Sequence, residues 1–159
     1  MITNSYSITQ EPEADVYCKL LQYALIPCSL ASVVVRPDLP LTSHGNQLLE
    51  ELSPFLQEKV ISNEWPGTQL VEGNAVVHYF AYDKRSVDIL LKHSTRLYQW
   101  VQPDLPEDLG LLRSLEKPWL VSIGHEKDSY LLMDEAEMTD FVKVIPEIQS
   151  ITKRDMPTV

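Results

Sequence analysis

The stretch "GLLRSLEKPWLVSIGHEKDSYLLM", Gly110–Met133, decides the fold. Three runs rich in apolar residues, "GLLRSL", "WLVSI" and "SYLLM", are separated only by "EKP" and "GHEKD". Connectors this short join antiparallel neighbours, because a parallel pair needs a crossover of about a dozen residues or more. The stretch therefore predicts a three-stranded antiparallel meander. Trp119, Val121 and Ile123 alternate along the middle run, which predicts that all three point to the face that meets the helices.

Upstream, Ala14, Tyr17, Cys18, Leu21, Ala24 and Leu25 recur at helical spacing and Pro27 closes the pattern. "SLASVVVR" has the β-branched content of a strand. Ser43 then reads as the N-cap of a helix carrying Leu48, Leu49, Leu52, Phe55 and Leu56, which Ser53-Pro54 splits or kinks. "NEWPGTQLVEGN" is a turn-rich connector. "AVVHYFAY" reads as a strand covered on both faces, with His78 as a satisfied or half-buried structural histidine. Asp83 caps a helix over "KRSVDILLKH", and "LYQW" returns to extended structure. Downstream of the meander, Asp134 and Glu137 form a capping-box-like start to a helix with Met138, Phe141, Val142 and Ile145 on one stripe, closed by Pro146. About residues 1–10 and 150–159 show little periodicity and read as flexible. Helices and strands mix without strict alternation. The expectation is α+β: one two-layer domain over 1–159, with a mostly antiparallel sheet packed by helices.

"PDLP" occurs at Pro37–Pro40 and again at Pro103–Pro106. The flanks of the two copies do not match, so it marks no duplication. Two prolines around a leucine held away from helical geometry give a stiff segment, and each copy is expected to end a strand.

Composition narrows the function classes. A chain of 159 residues is about one domain. Its 13 basic and 23 acidic residues give a net charge of -10, a field opposite to the one that attracts phosphate backbones, so nucleic acid is excluded as a partner; the acidity reads first as solubility, with a basic protein partner as the alternative. No apolar run approaches the ~18–20 residues of a membrane span, and the start lacks a signal-peptide pattern. A cytoplasmic protein with no membrane partner is the expectation. Cys18 and Cys28 fit no disulfide framework and read as reduced thiols.

The sequence carries no HExxH, CxxC, EF-hand loop, P-loop, GxGxxG or GxSxG pattern. No catalytic residue, metal ligand or cofactor is assigned. His125, Glu126 and Asp128 read as a hairpin turn. The one unusual region runs from "LYQWVQPDLPEDLGLLR" into "WLVSIGHEKD". There, Trp100 and Trp119 read first as core anchors with the acids solvating a loop; the functional reading of the same region is a protein-binding patch of Trp100, Asp104, Glu107, Asp108, His125 and Glu126.

The same region, about Tyr98 to Glu126, resembles a family of small bacterial proteins without established activity, some labelled as stage III sporulation proteins. "LPEDL", Trp119 and "HE" carry the resemblance. It implies a bacterial, cytosolic protein and transfers no catalytic residue. The sporulation label implies a membrane anchor, and this chain has no segment for one.

Three function classes follow. The first is a non-enzymatic interaction module, immunity-type or regulatory, that binds a basic partner. The second is a small hydrolase or ligand-binding enzyme in which His125 works with a nearby carboxylate such as Glu107 or Glu126. The third is a structural homo-oligomer, for which a homodimer is the simplest form.

Overall fold

The meander is the centre of a larger sheet. In the computed structural model, which describes residues 3–157, the chain runs β1 (Asn4–Ile8), α1 (Ala14–Tyr23), β2 (Leu30–Val35), α2 (Ser43–Leu52), β3 (Leu56–Ser62), β4 (Glu64–Trp65), β5 (Thr68–Gln69), β6 (Ala75–Ala81), α3 (Lys84–His93), β7 (Glu107–Ser114), β8 (Lys117–Ile123), β9 (Asp128–Met133), α4 (Glu135–Val144), α5 (Glu147–Ile151) and β10 (Thr152–Arg154). Eight strands form one sheet in the order β10-β1-β9-β8-β7-β2-β6-β3. Every neighbouring pair is antiparallel. The α+β expectation holds: one domain, with a large antiparallel sheet packed by helices.

Among the described residues the five helices cover one face. Their apolar stripes, with Tyr17, Leu20 and Leu21 on α1, Leu48 and Leu52 on α2, Val87 and Leu90 on α3, Phe141 on α4 and Ile148 on α5, meet Val33, Phe80, Leu111, Leu120 and Leu131 from the sheet. Trp100, Trp119 and Phe141 are fully buried there. Each large side chain moved out of water contributes about 1.5–3 kcal/mol. The opposite face is partly roofed by the small β4–β5 hairpin, whose Trp65 packs with Val34, Ala75 and Val77.

Trp119 departs from the expected alternation. β7 pairs Leu111 with Leu120 and the next residue, Leu112, with Pro118, so Trp119 is the extra residue of a bulge. The bulge turns Trp119 onto the helix face, where it packs beside Phe141 and Tyr23. Val121 and Ile123 fall on the other face, against the hairpin at Gly67.

Four further expectations are corrected. Within the described residues the ends are held in the sheet: β1 pairs with both β9 and β10, and Asp155 accepts hydrogen bonds from Ser5 and Ser7, while residues 1–2 and 158–159 lie outside the described residues. The second half of the split helix is a single 3-10 turn, Ser53–Phe55, and Leu56 opens the edge strand β3. "LYQW" is not extended; Leu97–Gln99 forms another 3-10 turn. The first PDLP follows β2 as expected, but the second leads into β7 instead of ending a strand. The two copies lie together. Gln102 accepts from the Arg36 amide at 2.6 Å and donates to the carbonyls of Arg36 and Leu39, while the Thr42 amide donates to the Pro103 carbonyl.

Candidate functional site

The joined PDLP turns place Arg36, at the end of β2, beside the first residues of β7. Glu107 is nine-tenths buried and Asp108 more so. Arg36 Nε lies 2.5 Å from Glu107 Oε2. Both atoms are sealed from water, and the charge of Arg36 is the larger part of its pull on Glu107. Burial pushes the Glu107 carboxyl above its usual range, with Arg36 pulling the other way and Asp108 adding to the rise.

Asp108 is the centre of this knot. Its Oδ2 accepts from Trp65 Nε1 at 2.9 Å and its Oδ1 from the Gly124 amide at 2.9 Å. Its own amide donates to the Trp100 carbonyl. One residue thus fastens the hairpin and the β8–β9 turn through its carboxylate and the turn before β7 through its amide. To do so Asp108 adopts a left-handed conformation, φ 58°, which Asp tolerates better than most residues. Gly124 is required for the approach, since a Cβ there would collide with the Trp100 carbonyl and Val101.

The patch read from the sequence therefore divides. Trp100, Glu107 and Asp108 are buried, whereas Asp104, His125 and Glu126 are exposed. The three buried members hold the fold and do not form a rim. Trp100 spends its indole N–H on Tyr17 Oη at 3.0 Å. The turn brings His125 to Glu107 and Asp108, with one ligand atom from each mutually within 4.8 Å. This trio offers two carboxylates and an imidazole, a donor set that suits a divalent cation or an acid–base pair. Arg36 would first have to release Glu107. A hollow of about 290 Å³ lined by Arg36, Asp38, Leu70, Glu72 and Asn74 borders the knot.

A second region was not legible in the sequence. After α1 the chain turns at Ala24–Pro27 and leaves Ile26 79% exposed; on α4, Val144 is 63% exposed. Two adjoining hollows of about 460 and 410 Å³ share Tyr23 and Ile26. Asp134, Glu137 and Asp140 line the first and Val144 the second. Arg113 neutralises Glu137 through contacts of 2.7 and 2.8 Å, and Trp119 Nε1 donates to the same carboxylate. Asp134 caps α4 through the Glu137 amide, and among the described residues no ion pair engages Asp134 or Asp140. Tyr23 registers the field: burial raises its pKa first, then Glu137 and Asp140. The sequence signal was a lone exposed pair, Ile26 after a helix and Val144 at the end of another, and one helical stripe at a time does not show that they meet.

His78 is buried and stacks on Phe80. Burial and then Lys59 push it down from 6.5 to about 4. Cys28 is a buried thiol pushed up to about 12 by burial, which makes it unreactive.

Comparison with protein-family models, with curated proteins and with solved structures found no match. Among the described residues no helix is long and apolar enough to cross a membrane.

Proposed function

We propose that the protein is a non-enzymatic interaction protein that takes a basic, apolar-anchored segment of a protein partner in the groove between α1 and α4. One observation carries the reading: Ile26 and Val144 stand in water beside Tyr23, along a border of Asp134 and Asp140. Large apolar side chains exposed together in one groove, unlike ones scattered singly, mark a surface that another molecule covers. The partner's chemistry follows from the border. Lysine or arginine stems lie along apolar surface while their heads reach carboxylates, and the net charge of -10 steers such a segment inward. An immunity-type neutraliser or a regulatory subunit of a bacterial cytoplasmic protein is a role of this kind.

The test is an amide NMR titration with a synthetic amphipathic lysine/leucine peptide and its glutamate/leucine counterpart. Shifts are expected at residues 22–26 and 140–145 with the lysine peptide only, weakening with salt. Shifts confined to the Asp104 and Glu126 turns, shifts with both peptides, or concentration-dependent shifts without peptide would replace this reading; the last would indicate self-association.

A second reading, a small hydrolase using His125 with Glu107, is supported by their closeness. It requires that any ester or amide turnover by the wild type disappear in His125→Ala, and turnover unchanged by that substitution removes it.

A further inference from the structure

Two histidines that lie 49 residues apart meet between α2 and α3. His44 is the second residue of α2 and His93 the last of α3. His44 Nδ1 lies 3.2 Å from Asp104 Oδ2, and His93 Nε2 lies 2.5 Å from Glu51 Oε2. Glu51 is also held by Lys92 Nζ at 2.6 Å, and its carboxyl is lowered, first by Lys92 and then, against the effect of burial, by His93. Gly45 makes room for the Asp104 segment, because a Cβ there would stand 3.0 Å from the Asp104 carbonyl.

The tautomers follow from donor arithmetic. An ionised carboxylate only accepts, so His44 Nδ1 and His93 Nε2 both carry hydrogens. In neutral rings this leaves His44 Nε2 and His93 Nδ1 as two lone pairs, and these nitrogens face each other at 3.1 Å. Two acceptors repel, so a positive charge belongs between them. Two imidazole nitrogens on one tetrahedral zinc, at bonds of 2.0–2.1 Å, lie about 3.3–3.4 Å apart. A small turn of the His44 ring, whose side chain is 35% exposed, supplies the difference. A carboxylate behind each ligating imidazole is also the usual support of a metal-bound histidine.

We propose that His44 Nε2 and His93 Nδ1 bind a divalent transition-metal ion, zinc first, with Asp104 and Glu51 fixing the two rings from behind. Water completes the coordination sphere from the His44 side, because the His93 side chain is only 6% exposed. With two protein ligands the site is an exchangeable one, weaker than a closed four-ligand site. The ion clamps α2 to α3 and stabilises the folded chain by mass action.

The experiment is calorimetric titration of chelator-stripped full-length protein with zinc chloride, alongside thermal unfolding with and without zinc. One ion per chain is expected, with a rise in Tm. His44→Gln and His93→Gln should each weaken binding at least tenfold and abolish the rise, and Asp104→Asn should weaken it about 10- to 100-fold. His44 is at the surface, so His44→Gln keeps the test valid if His93→Gln fails to fold. Asp88→Asn, on the exposed side of α3, should change nothing. Absence of heat and of any Tm rise would leave a shared proton as the sole occupant and overturn the proposal. Binding that survives His44→Gln and is lost in His125→Ala would overturn it too, moving the ion to Glu107 and Asp108.

Discussion

The knot at Asp108 and the groove between α1 and α4 both contain carboxylates, and they use them in opposite ways. Inside the knot both Asp108 oxygens are occupied by protein donors and Glu107 is matched to Arg36. In the groove Asp140 is exposed and Asp134, half-buried and capping α4, carries no ion pair among the described residues; both line a hollow beside exposed aliphatic side chains. Acidity at the knot is a fastening within the fold, whereas acidity at the groove is free to meet another molecule. A residue in the knot should therefore matter for stability, and a residue in the groove for binding.

The largest effect should come from Asp108→Ala. It leaves Trp65 Nε1 and the Gly124 amide buried without an acceptor and places alanine at φ 58°. Two orphaned donors at about 1–3 kcal/mol each, plus the left-handed backbone, give a loss of about 3–5 kcal/mol by urea denaturation. A loss below about 1 kcal/mol would show that the knot does not fasten anything.

The next effect is a pH dependence outside both regions. His78 titrates near 4 in the folded chain against 6.5 when free. The unfolded chain therefore binds the proton first, and stability falls as pH drops from about 6.5 toward 4, then levels off. Water at the ring edge trims the full value to a loss of at most about 2 kcal/mol. Glu107 works in the other direction: its raised pKa means that the stability it contributes in its protonated form is lost as pH rises through its folded value. His78→Leu should flatten the slope over pH 4–6.5, and an unchanged slope would assign it to other groups.

Glu107→Gln should cost about 1–2 kcal/mol by urea denaturation, because it leaves the Arg36 guanidinium, a quarter exposed, without its partner charge, a smaller loss than the ~3–5 kcal/mol of a fully buried pair. The smallest effect on stability belongs to the groove. Ile26→Glu should fall within about 0.5 kcal/mol of wild type, while lowering affinity for the lysine/leucine peptide at least about tenfold.

Local periodicity carried the helices α1 and α3 and the meander, because each is written in consecutive residues. β3 was invisible since "LQEKVIS" is an edge strand whose mostly polar side chains show no alternation, the usual protection of an edge. β1 and β10 pair across the whole length of the chain, and no local pattern reports a partner so distant. The Trp119 bulge was hidden because it depends on the register of β7, not on the residues of β8. For the same reason the sequence picked out Asp108 and Glu107 correctly as unusual and misjudged their exposure. Arg36, Trp65 and the His44–His93 contact become visible only when the turns come together.

The most direct measurement sets Asp108→Asn beside Ile26→Glu, both titrated with the lysine/leucine peptide at low temperature, where each is folded. If the groove is the binding surface, Asp108→Asn binds like wild type although it unfolds more easily, and Ile26→Glu loses binding although its stability is unchanged. Binding lost in Asp108→Asn and kept in Ile26→Glu would contradict this division and place the function at the knot.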